Sequence, residues 1–167
     1  MLYLFRLDFT LMEPPVTILD YSPKYRSAIR IILMKIRWAE QYISSAEQNM
    51  QHLSQDKENY GVYMAVIDEA AAGFLYVQYY AWNQLCQIHG LAVDPEVQRQ
   101  GIASALVTHA EDFAKSKNAR GIYVNILTLN TGGRKFYEAA RYQVGHIMPR
   151  YYEDQLDGSR IKNFLRQ

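Results

Sequence analysis

The hexapeptide Gln98-Arg99-Gln100-Gly101-Ile102-Ala103 puts a cation, a glycine and a small residue into one short stretch. The apolar run Ile88-His89-Gly90-Leu91-Ala92-Val93 leads into it, and an amphipathic segment from about Ser104 to Lys117 leads out. A strand that ends at Asp94-Pro95 and turns into a helix has this form. The first amides of a helix lack intrahelical partners and lie at the positive end of its dipole, so the junction suits an anion such as a phosphate. Gly101 leaves no side chain where phosphate oxygens would approach, and Ala103 keeps the next turn small. The same residues also make an ordinary strand-to-helix turn, and the loop alone does not separate the two readings.

The elements around this loop follow from periodicity. Val16–Leu19 forms a short strand closed by Asp20 to Pro23. Helical spacing of Ala28, Ile29, Ile32, Leu33 and Ile36 predicts a helix over Lys24–Trp38, and Ile43, Ala46, Met50 and Leu53 predict a second over Ala39–Ser54. Three strands come next, Gly61–Ile67, Ala72–Trp82 and Leu85–Val93. Their connections are short, Asp68-Glu69 and Asn83-Gln84, which implies antiparallel hairpins. The helix after the glycine loop would pack through Ile102, Leu106, Ala110 and Phe113. Gly121–Leu127 is a buried strand, parallel to 85–93 because a crossover joins them. Thr131–Ala140 is a short helix. Arg141–Ile147 and Arg160–Leu165 are closing strands, separated by a polar Tyr151–Ser159 loop.

The 167 residues suit one domain, 16–167, after an extension over residues 1–15 that ends in Pro14-Pro15. Apolar residues at 49% and charged residues at 21% are ordinary globular composition. A net charge of +1 gives no bulk attraction for nucleic acid, and none is expected as a partner. His52, His89, His109 and His146 share no metal-ligand spacing, so no metal is expected. No apolar run approaches the ~20 residues of a membrane span, and no membrane partner is expected. Arg6 and Asp8 interrupt the apolar opening, which does not read as a signal peptide. The single cysteine, Cys86, suits a reducing compartment, and a cytoplasmic location is expected.

The full segment Leu91 to Ala103 resembles the acetyl-CoA-binding signature of the GNAT superfamily of N-acetyltransferases, whose core reads Gln/Arg-x-x-Gly-x-Gly/Ala. Asn130-Thr131-Gly132-Gly133-Arg134-Lys135-Phe136-Tyr137 resembles that family's second motif, Asn-x-x-Ala-x-x-Phe-Tyr. The order of elements is also that of the GNAT fold. The resemblance implies a mixed α/β fold with a mostly antiparallel sheet of six to seven strands. That sheet would splay at the parallel pair 85–93/121–127 and carry about four flanking helices. The resemblance also implies acetyl-CoA as cosubstrate. Its contacts would come from Leu91, Ala92 and Val93 on the strand, from Arg99, Gln100, Gly101, Ile102, Ala103 and Ser104 at the loop, and from Asn130, Gly133, Phe136 and Tyr137. Two residues depart from the pattern. Gly133 stands in place of Ala, and Arg141 stands where a Gly usually ends the helix.

Acetyl transfer to an amine needs a base, a donor to the oxyanion and an acid for the leaving thiol. In the family the Tyr of the second motif is commonly the acid, here Tyr137. A backbone amide on strand 91–93 would polarise the carbonyl. Positions where GNAT branches carry a catalytic Glu hold amides here, Gln87 and Asn125. His89 remains as base. Its strand is similar to the His-x-His-Ala-Leu-Ala-Val strand of arylalkylamine N-acetyltransferases, and an imidazole suits amine deprotonation near neutrality. A chain of waters is the alternative base.

For the acceptor, Tyr76, Tyr79, Tyr80 and Trp82 crowd one strand. Tyr151-Tyr152 looks like the tyrosine loop with which protein N-terminal acetyltransferases hold peptide backbone. Glu40, Glu47, Glu58, Asp154 and Asp157 would attract a cationic amine. The acceptor is thus a small-molecule amine or a peptide N-terminus, and a homodimer is admitted. The rival reading is an acyl-CoA-binding sensor of the same fold with little catalysis.

Overall fold

The computed structural model describes residues 15–165, so the expected extension, Pro15 apart, lies outside the described residues. The chain runs β1 (Thr17–Asp20), α1 (Arg26–Lys35), α2 (Glu40–Leu53), β2 (Tyr60–Ile67), β3 (Ala70–Tyr80), β4 (Leu85–Val93), α3 (Ile102–Ser116), β5 (Gly121–Leu127), α4 (Thr131–Ala139), β6 (Gln143–Glu153) and β7 (Leu156–Phe164). The strands form one mixed sheet in the order β1-β2-β3-β4-β5-β7-β6, in which only β4 and β5 run parallel.

Each face of the sheet buries one apolar stripe. On one side Ile29, Ile32 and Leu33 of α1 and Ile43, Ala46 and Met50 of α2 pack on Val62, Met64, Val66 and Phe74. On the other, Leu106, Val107, Ala110 and Phe113 of α3 pack on Leu75, Val77, Cys86, Ile88, Ile122 and Val124. The predicted stripes are therefore the buried ones. The α1–α2 pair is also fixed by charge. Glu47, which is buried, lies 2.7 Å from Arg30 and 3.8 Å from Arg26, and Arg30 also grips Glu40. These carboxylates are committed to the helix pair, which corrects the expectation that Glu40 and Glu47 attract an amine.

The parallel pair carries the feature that matters for function. β4 and β5 pair over only four positions, Leu85 to Ile88 against Gly121 to Val124, and then part. At the same level β4 holds an extra residue relative to β3. Tyr76 faces Gly90 and Val77 faces Ile88, so His89 has no partner in the ladder. Such a bulge bends its strand and exchanges the faces of all residues beyond it. Cys86 and Ile88 point to the α3 side, yet beyond the bulge it is Val93 that joins that core, while Ala92 joins the opposite one. Gly90 is obligatory here, because a Cβ would collide with the Tyr76 ring.

Several boundaries differ from the sequence reading, and two of them bear on the site. Helix α3 begins at Ile102, two residues before the expected Ser104. The polar 151–159 segment is not a loop but the end of a long hairpin. β6 runs through Tyr151 and Tyr152 to Glu153, and β7 begins at Leu156. A register break between Met148 and Glu153, with Arg150 at φ 53°, lets the strand pass Pro149 while pairing resumes at Glu153–Leu156.

We predict that Gly90→Ala lowers unfolding stability by about 1–3 kcal/mol through overpacking against Tyr76. Gly132→Ala, whose added methyl meets nothing within 4 Å, should instead stabilise by up to ~1 kcal/mol as a helix-propensity gain. Urea midpoints of the two variants measure the contrast, and equal midpoints would contradict it.

Candidate active site

The glycine loop sits at the mouth of the parted strands. Beyond Ile88 the β5-facing edge of β4 has no strand partner, so Leu91, Ala92 and Val93 line an internal opening while pairing normally with β3 on their other side. Asp94 accepts a hydrogen bond from the Glu96 amide at 3.0 Å and turns the chain out of the strand. Lys35, at the end of α1, holds Asp94 at 2.7 Å and Glu96 at 3.1 Å, tying this turn to the opposite layer. Gln98 Nε2 donates to the Val93 carbonyl at 3.1 Å. Its side chain thus closes the strand end, a structural role that the sequence left unassigned.

Gly101 is the N-cap of α3, at φ 79°, and no side chain caps the helix. Arg99 also has positive φ, 65°, so the backbone curls at both residues. Nothing lies within 4 Å of the position a Gly101 Cβ would take. The leading amides of α3, from Ile102, Ala103 and Ser104, have no acceptor among the described residues and lie at the positive end of the helix dipole. An anion fits that arrangement without displacing protein.

The second motif lies on α4. Asn130 caps this helix, its Oδ1 accepting from the Gly133 amide at 2.8 Å. A Cβ on Gly133 would come within 2.6 Å of Asn130 Nδ2, so the glycine that departs from the family pattern makes room for the folded-back cap. The left-handed helix end expected at Arg141 is kept, with φ 67°. Tyr137 is buried against Phe136 and Tyr142 at ring distances of 5.0 and 5.3 Å. Burial pushes its phenol well above the ordinary range, so it stays protonated at every physiological pH.

His89 stands on the face opposite α3. Its Nε2 is 3.0 Å from Gln78 Oε1 and 3.2 Å from the Tyr80 hydroxyl, and the ring stacks on Tyr76 at 6.0 Å. With the proton on Nε2 donated to Gln78, Nδ1 keeps its lone pair, as a base requires. The imidazole reaches solvent along one edge but is crowded by these neighbours, and the loss of water pushes its pKa below the usual 6.5.

A polar network that the sequence did not reveal spreads from His89 across the parted strands. Tyr80 donates to Gln87 Oε1 at 3.3 Å and Tyr123 donates to the same oxygen at 2.8 Å. Asn125 accepts from Arg160 Nε at 3.0 Å and donates to the Tyr151 hydroxyl at 3.0 Å. Gln87 and Asn125, the positions without an acidic base, are thus both consumed in side-chain bonding. Of the aromatic set expected at the acceptor side, Tyr76, Tyr80 and Tyr151 are brought together. Tyr79 packs toward the α3 core, and Trp82 lies beyond the end of β3, 85% exposed. The alternation of strand faces separates Tyr79 from Tyr80. Asp157 is also engaged, accepting from the Arg150 amide at 2.8 Å.

The glycine-capped helix beside a parted parallel pair has its counterpart in known proteins. A family model, that of the Acetyltransferase (GNAT) family, matches residues 31–141. The chain belongs to this family. Streptothricin acetyltransferase of Streptomyces lavendulae is 36% identical over 63 residues, 38% of this chain and 33% of that one. N-alpha-acetyltransferase 60 of Xenopus tropicalis is 31% identical over 73 residues, 42% of this chain and 30% of that one. The chain thus spans about a third of the length of these two curated relatives. The GNAT fold is matched over a longer stretch by the PaiA N-acetyltransferase of Thermoplasma acidophilum in complex with coenzyme A. That superposition has a TM-score of 0.72 at 17% identity and covers 90% of this chain and 99% of that one. Among the described residues no helix is long and apolar enough to cross a membrane, and no cluster of His, Cys, Asp and Glu has metal-site geometry.

For Gly101→Ala we expect strain of about 1–2 kcal/mol from the left-handed backbone, together with a methyl group at the open helix end. Coenzyme A affinity by calorimetry should fall about tenfold or more. An unchanged Kd would count against phosphate binding at this turn.

Proposed function

We propose that residues 16–167 form one acetyltransferase domain that moves an acetyl group from acetyl-CoA to a primary amine by direct attack. The observation that carries this reading is the opening between β4 and β5, which has the bare N-terminus of α3 at one end and the His89 imidazole on its flank. In this reading the Gly101–Ser104 amides hold the cofactor's phosphates, with Arg99 and Gln100 beside them, and the thioester arm lies along Leu91–Val93. The side-chain amide of Asn130 and the Gly133, Phe136 and Tyr137 surface of α4 border it on the other side.

The amine nitrogen attacks the thioester carbon, a C–N bond forms, and a backbone amide of 91–93 stabilises the oxyanion. His89 Nδ1 takes the amine proton. The C–S bond then breaks and the leaving thiolate takes the Tyr137 phenolic proton. Burial supports both assignments, since it keeps Tyr137 protonated and His89 neutral. The acceptor class is a small-molecule amine or a peptide N-terminus, and a cytoplasmic setting fits the single buried thiol of Cys86. A second reading, an acyl-CoA binder with little turnover, draws on the absence of any carboxylate at positions 87 and 125.

Kinetics with a panel of amines and peptides, followed by thiol release, separate the two. We expect His89→Ala and Tyr137→Phe each to lose 10²–10⁴-fold in kcat/KM, the range for a general base or acid. Because its pKa is depressed, His89 is neutral above a pH that lies below 6.5. The wild-type rate should therefore hold down to that point, decline on further acidification, and lose this limb in His89→Ala. Losses under about threefold at every pH for both variants would overturn the assignments. Tight acetyl-CoA binding with no turnover on any acceptor would favour the binder.

A further inference from the structure

On the acetyl-transfer reading above, we propose that the acceptor amine also bears a carboxylate, and that Arg160 is the residue that receives it. Arg160 lies on β7 opposite Asn125 of β5 and His146 of β6, on the sheet face that carries His89 and Gln87. Its position is fixed on two sides. Nε donates to Asn125 Oδ1 at 3.0 Å, and the guanidinium carbon lies 4.5 Å from the centroid of the Tyr123 ring. Asn125 is itself held by the Tyr151 hydroxyl at 3.0 Å, so the guanidinium is oriented before any ligand arrives.

What this half-buried cation lacks is an anion. Among the described residues no carboxylate forms an ion pair with Arg160, and neither Nη1 nor Nη2 has a side-chain or backbone acceptor. The face adds positive charge rather than neutralising it, since Lys162 is the ladder partner of Tyr123. A planar guanidinium with two terminal nitrogens free is the donor pattern that grips a carboxylate through two parallel hydrogen bonds.

The placement also bears on the size of the acceptor. Tyr123 and Tyr80 meet at Gln87, and Tyr80 meets His89, so a continuous row of side chains joins Arg160 to the proposed base. β4 and β7 are two strand spacings apart where the sheet is paired, about 10 Å, and β4 diverges further beyond Ile88. The carboxylate therefore sits farther from the reacting nitrogen than an α-carboxylate does, as on the side chain of a peptide's acidic N-terminal residue or at the far end of a free ω-amino acid. An α-carboxylate, adjacent to its own amine, is too near.

Matched acceptors test this. Peptide amides beginning with Asp or Glu are compared with those beginning with Asn or Gln, and free ω-amino acids with their amides, all by thiol release. We expect the wild type to favour the acid member by at least tenfold in kcat/KM, mainly through KM. Arg160→Gln should abolish this preference while coenzyme A affinity is retained, and Arg160→Lys should keep part of it. Should Arg160→Gln lower the melting midpoint, Tyr151→Phe loosens Asn125 without changing charge, and it should raise KM for the acid members alone. The peptide and amino-acid arms tell the two sources apart. Equal use of acid and amide by the wild type, or an undiminished preference in Arg160→Gln, overturns the proposal and leaves the transfer reading standing. Absence of thiol release from every acceptor removes that reading and this one with it.

Discussion

One inserted residue in β4 governs the rest. A sheet is a lattice of paired amides, and an unmatched residue can be accommodated only by bending the strand and exchanging its faces. His89 is that residue, and three consequences meet there. The strand leaves β5 just past Ile88, the apolar stripe passes from one core to the other, and the imidazole is projected out of the ladder instead of being folded into it. The glycine that follows is the condition for this, since the Tyr76 ring occupies the space a side chain would need. The opening and the imidazole on its flank thus have a common origin in backbone geometry.

The layers on either side hold this distortion in place. α3 presses its apolar stripe on the straight part of β4 and β5, where Cys86, Ile88, Ile122 and Val124 are buried. From the opposite face, α1 reaches across through Lys35 to Asp94 and Glu96, fixing the point at which the bent strand becomes a helix. The uncapped N-terminus of α3 and the cleft face are therefore positioned by the same short segment, residues 94–101.

Much of the frame was legible in the chain. β4 and β5 were readable to the residue because buried strands announce themselves as short apolar runs between turn formers, Asn83-Gln84 and Asp94-Pro95 for the first. The Gly101 and Asn130 signals are local, each depending on a helix start, and both survive in the geometry. The bulge was not legible, since an extra residue within an alternating run alters register without altering composition. The β6–β7 hairpin was missed for a related reason. Tyr151–Ser159 read as a polar loop, whereas Tyr151 to Glu153 continue β6 past the register break, and Gly158 is buried within β7. Least visible was the set Gln87, Tyr123, Asn125, Tyr151 and Arg160. Its members come from four strands, and only the pairing registers bring them together.

The gap between β4 and β5 has a further meaning for the solubility of the chain. Exposed strand edges invite pairing with other molecules, which is why rim strands are usually short, charged or interrupted. Here the two unsatisfied edges face each other inside the sheet, and the strands join at Ile88 and Val124, so the gap is a wedge closed at one end. A foreign strand seeking to extend a sheet needs a free flank along which to lie, and this wedge offers none. The molecule keeps hydrogen-bonding capacity for a slender guest while withholding the template from which aggregates grow.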